Sequence, residues 1–208
     1  MRQVQNNTKN PDITLLANPV GVDRVIQTLQ VELSSLSWLE KSFGRSFVQM
    51  EKNPQQDRII SNDNIFFPAV YQGVDSNNVV KDFENLLVND NLDSYCFFRT
   101  NGAEEPEDYT SHVRNRFTIE ISLIFWFNLY RVDSTKKYPF QEELNQEIQE
   151  KIRDCVFTAN DRVEVLRIHH NPREIFSEYS IDIVEEQNLV YPNWGYRYDM
   201  RAYYNGAC

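Results

Sequence analysis

Residues 116–131, with the sequence RFTIEISLIFWFNLYR, decide the fold of this chain. Every second residue is apolar, which is the period of a β-strand, and one face carries Phe117, Ile119, Ile121, Leu123, Phe125, Phe127 and Leu129. The stretch greatly exceeds the mean strand length of about 5–6 residues, so it needs partner strands. The opposite face changes from polar to apolar along its length, with Thr118, Glu120 and Ser122 followed by Ile124 and Trp126. This change predicts that one end of that face meets solvent and that the other end is covered.

Three further segments are predicted to join this strand in a mainly antiparallel sheet. Apolar runs bounded by turn residues predict strands at 93–100, 163–169 and 194–204. Strand 93–100 is expected to form a long hairpin with the central strand, with the acidic residues 101–113 at its tip. Shorter, broken strands are predicted between residues 47 and 71, where Asn-Pro and Asn-Asp-Asn clusters interrupt the pattern.

Two main helices are predicted at residues 20–37 and 139–156, where apolar residues recur at spacings of three and four. The pattern of the first helix can continue as far as Gly44. Asn18-Pro19 and Asn171-Pro172 both carry a helix-start signal, with Asn as the cap and Pro at the first helical position. The second of these pairs predicts a short helix that carries Ile175, Phe176 and Tyr179.

Together these elements predict an α+β fold, with the two main helices packed on the sheet. The chain of 208 residues is ample for one hydrophobic core. Residues 1–17 are polar and rich in Asn, and we interpret them as an N-terminal arm. Residues 18–208 are interpreted as a single α+β domain.

Charge and cysteine content limit the classes of function. Lys and Arg number 21 against 31 Asp and Glu, a net charge of −10, which argues against a sequence-independent grip on phosphate backbones. It does not argue against lying beside DNA without holding it. Cys96, Cys155 and Cys208 show no paired spacing, which argues against a disulfide framework and indicates a reducing compartment. The polar N-terminus and the lack of long apolar runs predict neither secretion nor membrane spanning.

Catalytic and cofactor motifs are missing from the sequence. The six glycines are too scattered for a phosphate-binding loop or a dinucleotide fingerprint, and no serine nucleophile elbow is present. His169 and His170 are adjacent in a predicted strand, so their side chains point to opposite faces and cannot bind one metal ion together. Glu120 is a candidate for a buried functional carboxylate, but such a residue more often faces water or pairs with an arginine on the next strand, here Arg197 or Arg201. We therefore predict a protein that is not an enzyme and has no catalytic, cofactor-binding or metal-binding residues.

Two groups of residues are selected as a candidate interface. One is the acidic tract with its neighbouring histidine: Glu104, Glu105, Glu107, Asp108 and His112. The other is aromatic: Trp194, Tyr196 and Tyr198. Tyr and Trp occur at interfaces as well as in cores, and an acidic tract is often a solvated run of charge, so both alternatives stay open. The acidic tip and the arm 1–17 are predicted to contact neighbouring subunits or rings.

The order of elements resembles the tail-terminator or tail-completion proteins of tailed bacteriophages, and more widely the connector rings between capsid and tail. The segments that carry this resemblance span most of residues 20–204: VDRVIQTLQVELSSL, FPAVYQG, RFTIEISLIFWFNLY, FQEELNQEIQEKIRDC and YPNWGYRYDMRAYY. The likeness is one of element order and texture rather than of an invariant motif. The polar arm, the insertion at 72–92 and the long tip at 100–113 depart from a small member of that family.

The resemblance implies a structural virion protein that forms a homo-oligomeric ring, six- or twelve-fold, in the neck or tail connector. In such a ring the sheet edge of each subunit packs on the next, adjacent connector or tail-tube rings are the other partners, and double-stranded DNA passes through the lumen. The ring would be assembled in the cytoplasm of the bacterial host, and a negative wall would let DNA slide. Two alternatives remain: an acidic inhibitor or immunity-type protein-binding module, and a metal-dependent enzyme that uses the acids 104–108 with His112.

Overall fold

The computed structural model describes residues 12–13, 15–52, 64–70, 84–86, 91–107, 116–158, 160–179 and 191–206. Its elements in chain order are β1 (Asp12–Ile13), α1 (Val22–Leu33), β2 (Lys41–Arg45), β3 (Phe47–Lys52), β4 (Asn64–Val70), β5 (Glu84–Asn85), β6 (Ser94–Pro106), β7 (Arg116–Asn128), α2 (Leu129–Val132), α3 (Gln141–Asp154), β8 (Arg162–His169), α4 (Pro172–Ile175) and β9 (Asn193–Asn205). None of these helices is long and apolar enough to cross a lipid bilayer.

A six-stranded sheet organises the molecule, in the order β1-β2-β6-β7-β9-β8. The pairs β1–β2 and β2–β6 are parallel, whereas β6–β7, β7–β9 and β9–β8 are antiparallel. The four strands predicted for the main sheet are therefore confirmed, and so are the α+β class and the mainly antiparallel pairing. A second, antiparallel sheet has the order β3-β4-β5.

Helices α1 and α3 cover the first face of the main sheet. Ile121, Leu123 and Phe125 of β7 are completely buried there, as the alternation in the sequence predicts. The helices contribute the stripes predicted by the three- and four-residue spacing: Val22, Val25, Ile26, Leu29 and Leu33 from α1, and Leu144, Ile148 and Ile152 from α3. Burial of these apolar side chains from both layers forms the first core.

Among the described residues, the second face of the sheet is covered only at one end, as predicted from the change along β7. Ile124 and Trp126 lie in a second core with Tyr95 and Phe97 of β6. The cover comes from the smaller sheet, through Val70 and Leu86, and from α4 and the turn after it, through Ile175, Phe176 and Tyr179. At the other end Glu120 is exposed and its carboxylate accepts a hydrogen bond from Arg201 at 3.1 Å, which confirms one of the two predicted pairings.

One predicted strand ends earlier, and one predicted helix begins later, than the sequence pattern indicates, and a capping residue stands at each of these boundaries. The central strand stops at Asn128, since the Asn128 side chain accepts hydrogen bonds from the amides of Tyr130 (3.1 Å) and Arg131 (3.3 Å) and so starts α2. Helix α1 begins at Val22 after Gly21, whose φ of 55° suits glycine. The Asn18-Pro19 start signal is therefore wrong by three positions.

Two segments predicted as helix or loop are strands. The residues between the end of α1 and Gly44 do not continue the helix, because β2 pairs in parallel with β6 there. Residues 101–106 of the predicted loop tip continue β6 across an irregularity between Asn101 and Glu105 that includes Gly102, with a φ of 74°. The rest of the tip from residue 108, and residues 1–11 and 14 of the arm, lie outside the described residues.

Candidate functional site

The aromatic residues predicted as interface on β9 lie largely inside the chain. Tyr196 and Tyr198 are completely buried in the first core, and Trp194 packs against that core while partly exposed. The Tyr198 hydroxyl donates to Asn145 Oδ1 of α3 at 2.5 Å, and the Tyr196 hydroxyl donates to Glu142 Oε1 at 3.3 Å. Burial raises the pKa of both phenols well above the ordinary value, so they stay neutral hydrogen-bond donors. The core alternative therefore describes Tyr196 and Tyr198.

The acidic tract lies at the far end of β6 and is partly engaged within the chain. Glu104 is exposed, and its carboxylate accepts a hydrogen bond from the Tyr204 hydroxyl at 2.5 Å. Glu107 lies 3.3 Å from Arg116 Nε in an ion pair. Glu105 is exposed, whereas Asp108 and His112 are outside the described residues. Across the described segments, no three His, Cys, Asp or Glu side chains come together as a set of metal ligands.

A polar network lies on the second face of the sheet, around Asp199. Its carboxylate accepts hydrogen bonds from Ser122 (2.6 Å) and Arg197 Nε (2.7 Å) and lies 2.8 Å from His169 Nε2. Burial alone would raise the pKa of Asp199, but these three partners outweigh it and hold the pKa below its usual range. Ser122 is completely buried and bonds the carboxylate rather than the imidazole, so the serine–base contact of a nucleophilic site is missing from this cluster.

A surface of mixed apolar and polar side chains runs across α1, the end of α3 and β8, where Arg24, Glu32, Arg153 and Arg162 lie beside the apolar residues. Two grooves form it and share Cys155: one of about 320 Å³ includes Pro19, Val31 and Val156, and one of about 520 Å³ includes Phe157 and Val165. We define the α1–β8 face by these six residues. Val156 is 82% exposed and Val165 is 42% exposed, which is unusual for valines placed side by side with other apolar residues on a surface.

Strand β8 adds a free backbone edge to the α1–β8 face. It is the last strand of the six, and no described strand pairs with its outer side. The register shifts between Val165 and Arg167, so that Leu166 has no opposite residue on β9 and is also 42% exposed. An edge with unpaired amide and carbonyl groups beside exposed apolar side chains is the type of surface that pairs with another chain.

Cys155 at the centre of this face is a packing residue and not a reactive thiol. Half-burial, with a smaller contribution from the nearby Glu32 carboxylate, raises the pKa of Cys155 to about 11. The thiol is therefore protonated at neutral pH, whereas the nucleophilic form of a cysteine is the thiolate. This agrees with its place in the apolar stripe of α3.

The sequence did not single out the α1–β8 face. Its only local signals are an apolar residue directly after the α3 stripe, Val156, and the break in alternation at Val165-Leu166. Both become visible as a surface only when the sheet order places β8 at an edge. No known protein-family model matches the chain, and no curated protein matches it at a significant level.

Proposed function

We propose that this chain is a structural subunit that assembles with copies of itself into a ring in the neck or tail connector of a tailed bacteriophage, as a tail terminator or head–tail joining protein. The observation that carries the proposal is the α1–β8 face beside the outer edge of β8, with which none of the described strands pairs. A second copy that packed there would bury Val156 and Val165 and would satisfy the backbone groups of the edge. The element order that resembles connector-ring proteins supports the same assembly.

A head-to-tail contact needs a second, different surface on each subunit, and the opposite edge of the sheet offers one. There β1 pairs only with Lys41 and Ser42, so the remaining residues of β2 are not covered by it. Because the two outer edges lie on opposite sides of one sheet, contact between them is heterologous. Heterologous contacts close into a ring when the rotation between subunits allows it.

The charge of the chain fits a ring around DNA that does not hold it. With a net charge of −10 per subunit, a ring repels the phosphate backbone and lets double-stranded DNA pass through its lumen. The exposed carboxylates of Glu104 and Glu105 at the end of β6 are suited to polar contacts with adjacent connector or tail-tube rings. Such contacts need no catalytic group or cofactor.

The test compares variants that place a charge on the proposed interface with one that places it elsewhere. Val156→Asp and Val165→Asp should prevent assembly, because burying an unpaired carboxylate at an interface costs several kcal/mol, about 2–7 for polar groups in general. Val48→Asp is the matched control, since Val48 is 49% exposed on the edge strand β3 of the smaller sheet. All three variants should keep the melting behaviour of the unmodified protein.

Assembly is measured by mass photometry of the purified chain and by imaging of complete particles, because isolated subunits of such rings can stay monomeric until another ring templates them. Rotational symmetry in the particles, lost with Val156→Asp and kept with Val48→Asp, is the expected result. A single copy per particle without rotational symmetry would contradict the ring. A monomer that binds one unrelated protein tightly would favour the inhibitor or immunity-type module instead.

A further inference from the structure

The segment 171–179 covers the second core. It contains α4 and the turn that follows it, and three of its side chains, Ile175, Phe176 and Tyr179, are buried in that core. Beneath them lies an aromatic layer that includes Tyr95 and Trp126, whose rings stack with centroids 5.5 Å apart. The attachment of this segment therefore decides whether a large aromatic surface is shielded from water.

Charged contacts attach the segment to the sheet at two points. At the first, Glu178 forms ion pairs with Arg99 and Arg197, and Arg197 Nη1 also donates to the Ser177 hydroxyl at 3.2 Å. These contacts rest on guanidinium groups, which stay charged throughout the physiological pH range. At the second point, Glu174 Oε2 lies 3.1 Å from His169 Nδ1.

The second point depends on a histidine that lies between two carboxylates. His169 is only 11% exposed, and its other ring nitrogen, Nε2, lies 2.8 Å from Asp199 Oδ2. Both partners are carboxylates, which only accept hydrogen bonds. A neutral imidazole has one N–H donor, so only the doubly protonated ring can donate to both carboxylates at once.

We propose that His169 is a proton-dependent latch that fastens the segment 171–179 to the sheet. The doubly protonated ring holds Asp199 and Glu174 together. When the ring releases its Nδ1 proton to solvent, it keeps the shorter bond to Asp199, while Nδ1 becomes an acceptor that faces the Glu174 carboxylate. The segment then loses its second attachment and covers the aromatic layer less firmly.

The charged groups around the ring favour this order of events. On β9, Asp199 stays ionised because its partners lower its pKa, and Arg197 is committed to Asp199 and to the segment. The ring also faces Glu174 of the segment, whose exposed carboxylate can accept a hydrogen bond from water in place of the one from the ring. Arg167 of β8 and Arg173 of α4 are exposed cations on the elements next to the ring. The latch concerns the second face of the sheet and does not depend on the proposed assembly.

Hydrogen–deuterium exchange with peptide resolution tests the latch on the intact chain. The reporters are the amides of Glu174, Ile175 and Tyr179, which donate to Asn171 and Phe176 carbonyls inside the segment. After correction for intrinsic exchange rates, their protection should fall about tenfold between about pH 5.5 and about pH 8, the scale of one lost charged hydrogen bond. Amides of α3 serve as the internal reference and should not change.

Two substitutions in the same segment separate the latch from other effects of pH. Glu174→Gln places a carboxamide beside His169; its N–H can donate to the neutral ring, so protection should become nearly independent of pH. Glu178→Gln is the matched control, because Glu178 contacts Arg99 and Arg197 and not the imidazole. It should lower protection at both pH values and keep their ratio.

Two outcomes would overturn the proposal. One is equal protection of the segment at both pH values in the unmodified chain. The other is a pH ratio in Glu174→Gln as large as in the unmodified chain, which would place the responsible proton on another group.

Discussion

The ion pair between Arg24 and Asp161 joins three parts of the fold that are distant in sequence. Arg24 on α1 donates from Nε to Asp161 Oδ2 at 2.6 Å and from Nη2 to Oδ1 at 2.8 Å. The same carboxylate accepts from the amide of Asn205, the last residue of β9, at 3.4 Å. Asp161 is almost fully buried, with a side-chain exposure of 2%, whereas Arg24 is 28% exposed. Bidentate geometry around a buried carboxylate makes this pair stronger than a surface ion pair.

Asp161→Ala should lower the free energy of unfolding by about 2–3 kcal/mol. The figure lies between about 0–1 kcal/mol for an exposed pair and about 3–5 kcal/mol for breaking a fully buried one, because the Arg24 guanidinium can still reach water. For a chain of this size each kcal/mol lowers Tm by about 2–4 °C, so the expected loss is about 4–12 °C. The pKa of Arg24 is raised chiefly by its hydrogen bond to Asp161. Without that partner the guanidinium still stays charged at neutral pH, because the ordinary pKa of arginine lies far above it.

Urea denaturation followed by circular dichroism measures the effect, and Asp154→Ala is the matched control. Arg153 and Asp154 also form an ion pair, but both side chains are well exposed, so this variant should lose less than about 0.5 kcal/mol. A loss for Asp161→Ala as small as that for Asp154→Ala would show that water screens the Arg24 pair despite its burial, and would refute the reasoning. A double-mutant cycle with Arg24→Met isolates the coupling between the two side chains.

Three further outcomes are expected. Gly195→Ala should destabilise the fold by about 2 kcal/mol or more, because a Cβ there would lie 2.6 Å from the carbonyl oxygen of Phe125. Gly44→Ala should be tolerated, because its Cβ would meet nothing closer than 3.7 Å. Equal Tm values for the two variants would contradict this prediction. The pKa of Asp199 in the folded chain is below its usual value. The ionised carboxylate therefore contributes stability above about pH 4, and this contribution is lost as the pH falls through the folded-state pKa. Acid unfolding of Asp199→Asn as steep as that of the unmodified chain would argue against this contribution. Cys155 should be alkylated slowly by iodoacetamide at pH near 8, since its pKa of about 11 leaves little thiolate, and rapid labelling seen by peptide mass spectrometry would show otherwise.

Periodicity in the sequence was sufficient for the elements that bury one face. The alternation along β7 placed Ile121, Leu123 and Phe125 in one core, and the polar-to-apolar change on the opposite face predicted its partial cover. These features are local, because each depends only on which neighbouring residues are apolar. The prediction for β7 failed only at its end, where the single side chain of Asn128 starts a helical turn.

Elements fixed by distant partners could not be predicted in this way. The β2 sequence KSFGR has no alternation that separates it from a loop, and its strand conformation comes from parallel pairing with β6. For the same reason the sequence could not decide whether Tyr196 and Tyr198 lie in the core or at an interface. A tyrosine suits both places, and only the position of α3 decides between them. The Asp199 network likewise draws residues from β7, β8 and β9 into one place.

The position of α4 shows how one residue links local sequence to the arrangement of the second face. In the register of β7 and β9, Gly195 lies opposite Trp126, and the space above its missing side chain is occupied by Ile175 of α4, 3.6 Å from where a Cβ would stand. Two positions along β9, the next side chain on this face is Arg197, which already contacts the segment 171–179. The close apolar packing of α4 on β9 is therefore found at Gly195, and charged contacts replace it at Arg197. The missing side chain of Gly195 lets α4 pack close to the sheet, and the contact between His169 and Glu174 lies beside Arg197, which is opposite His169 in the register of β8 and β9.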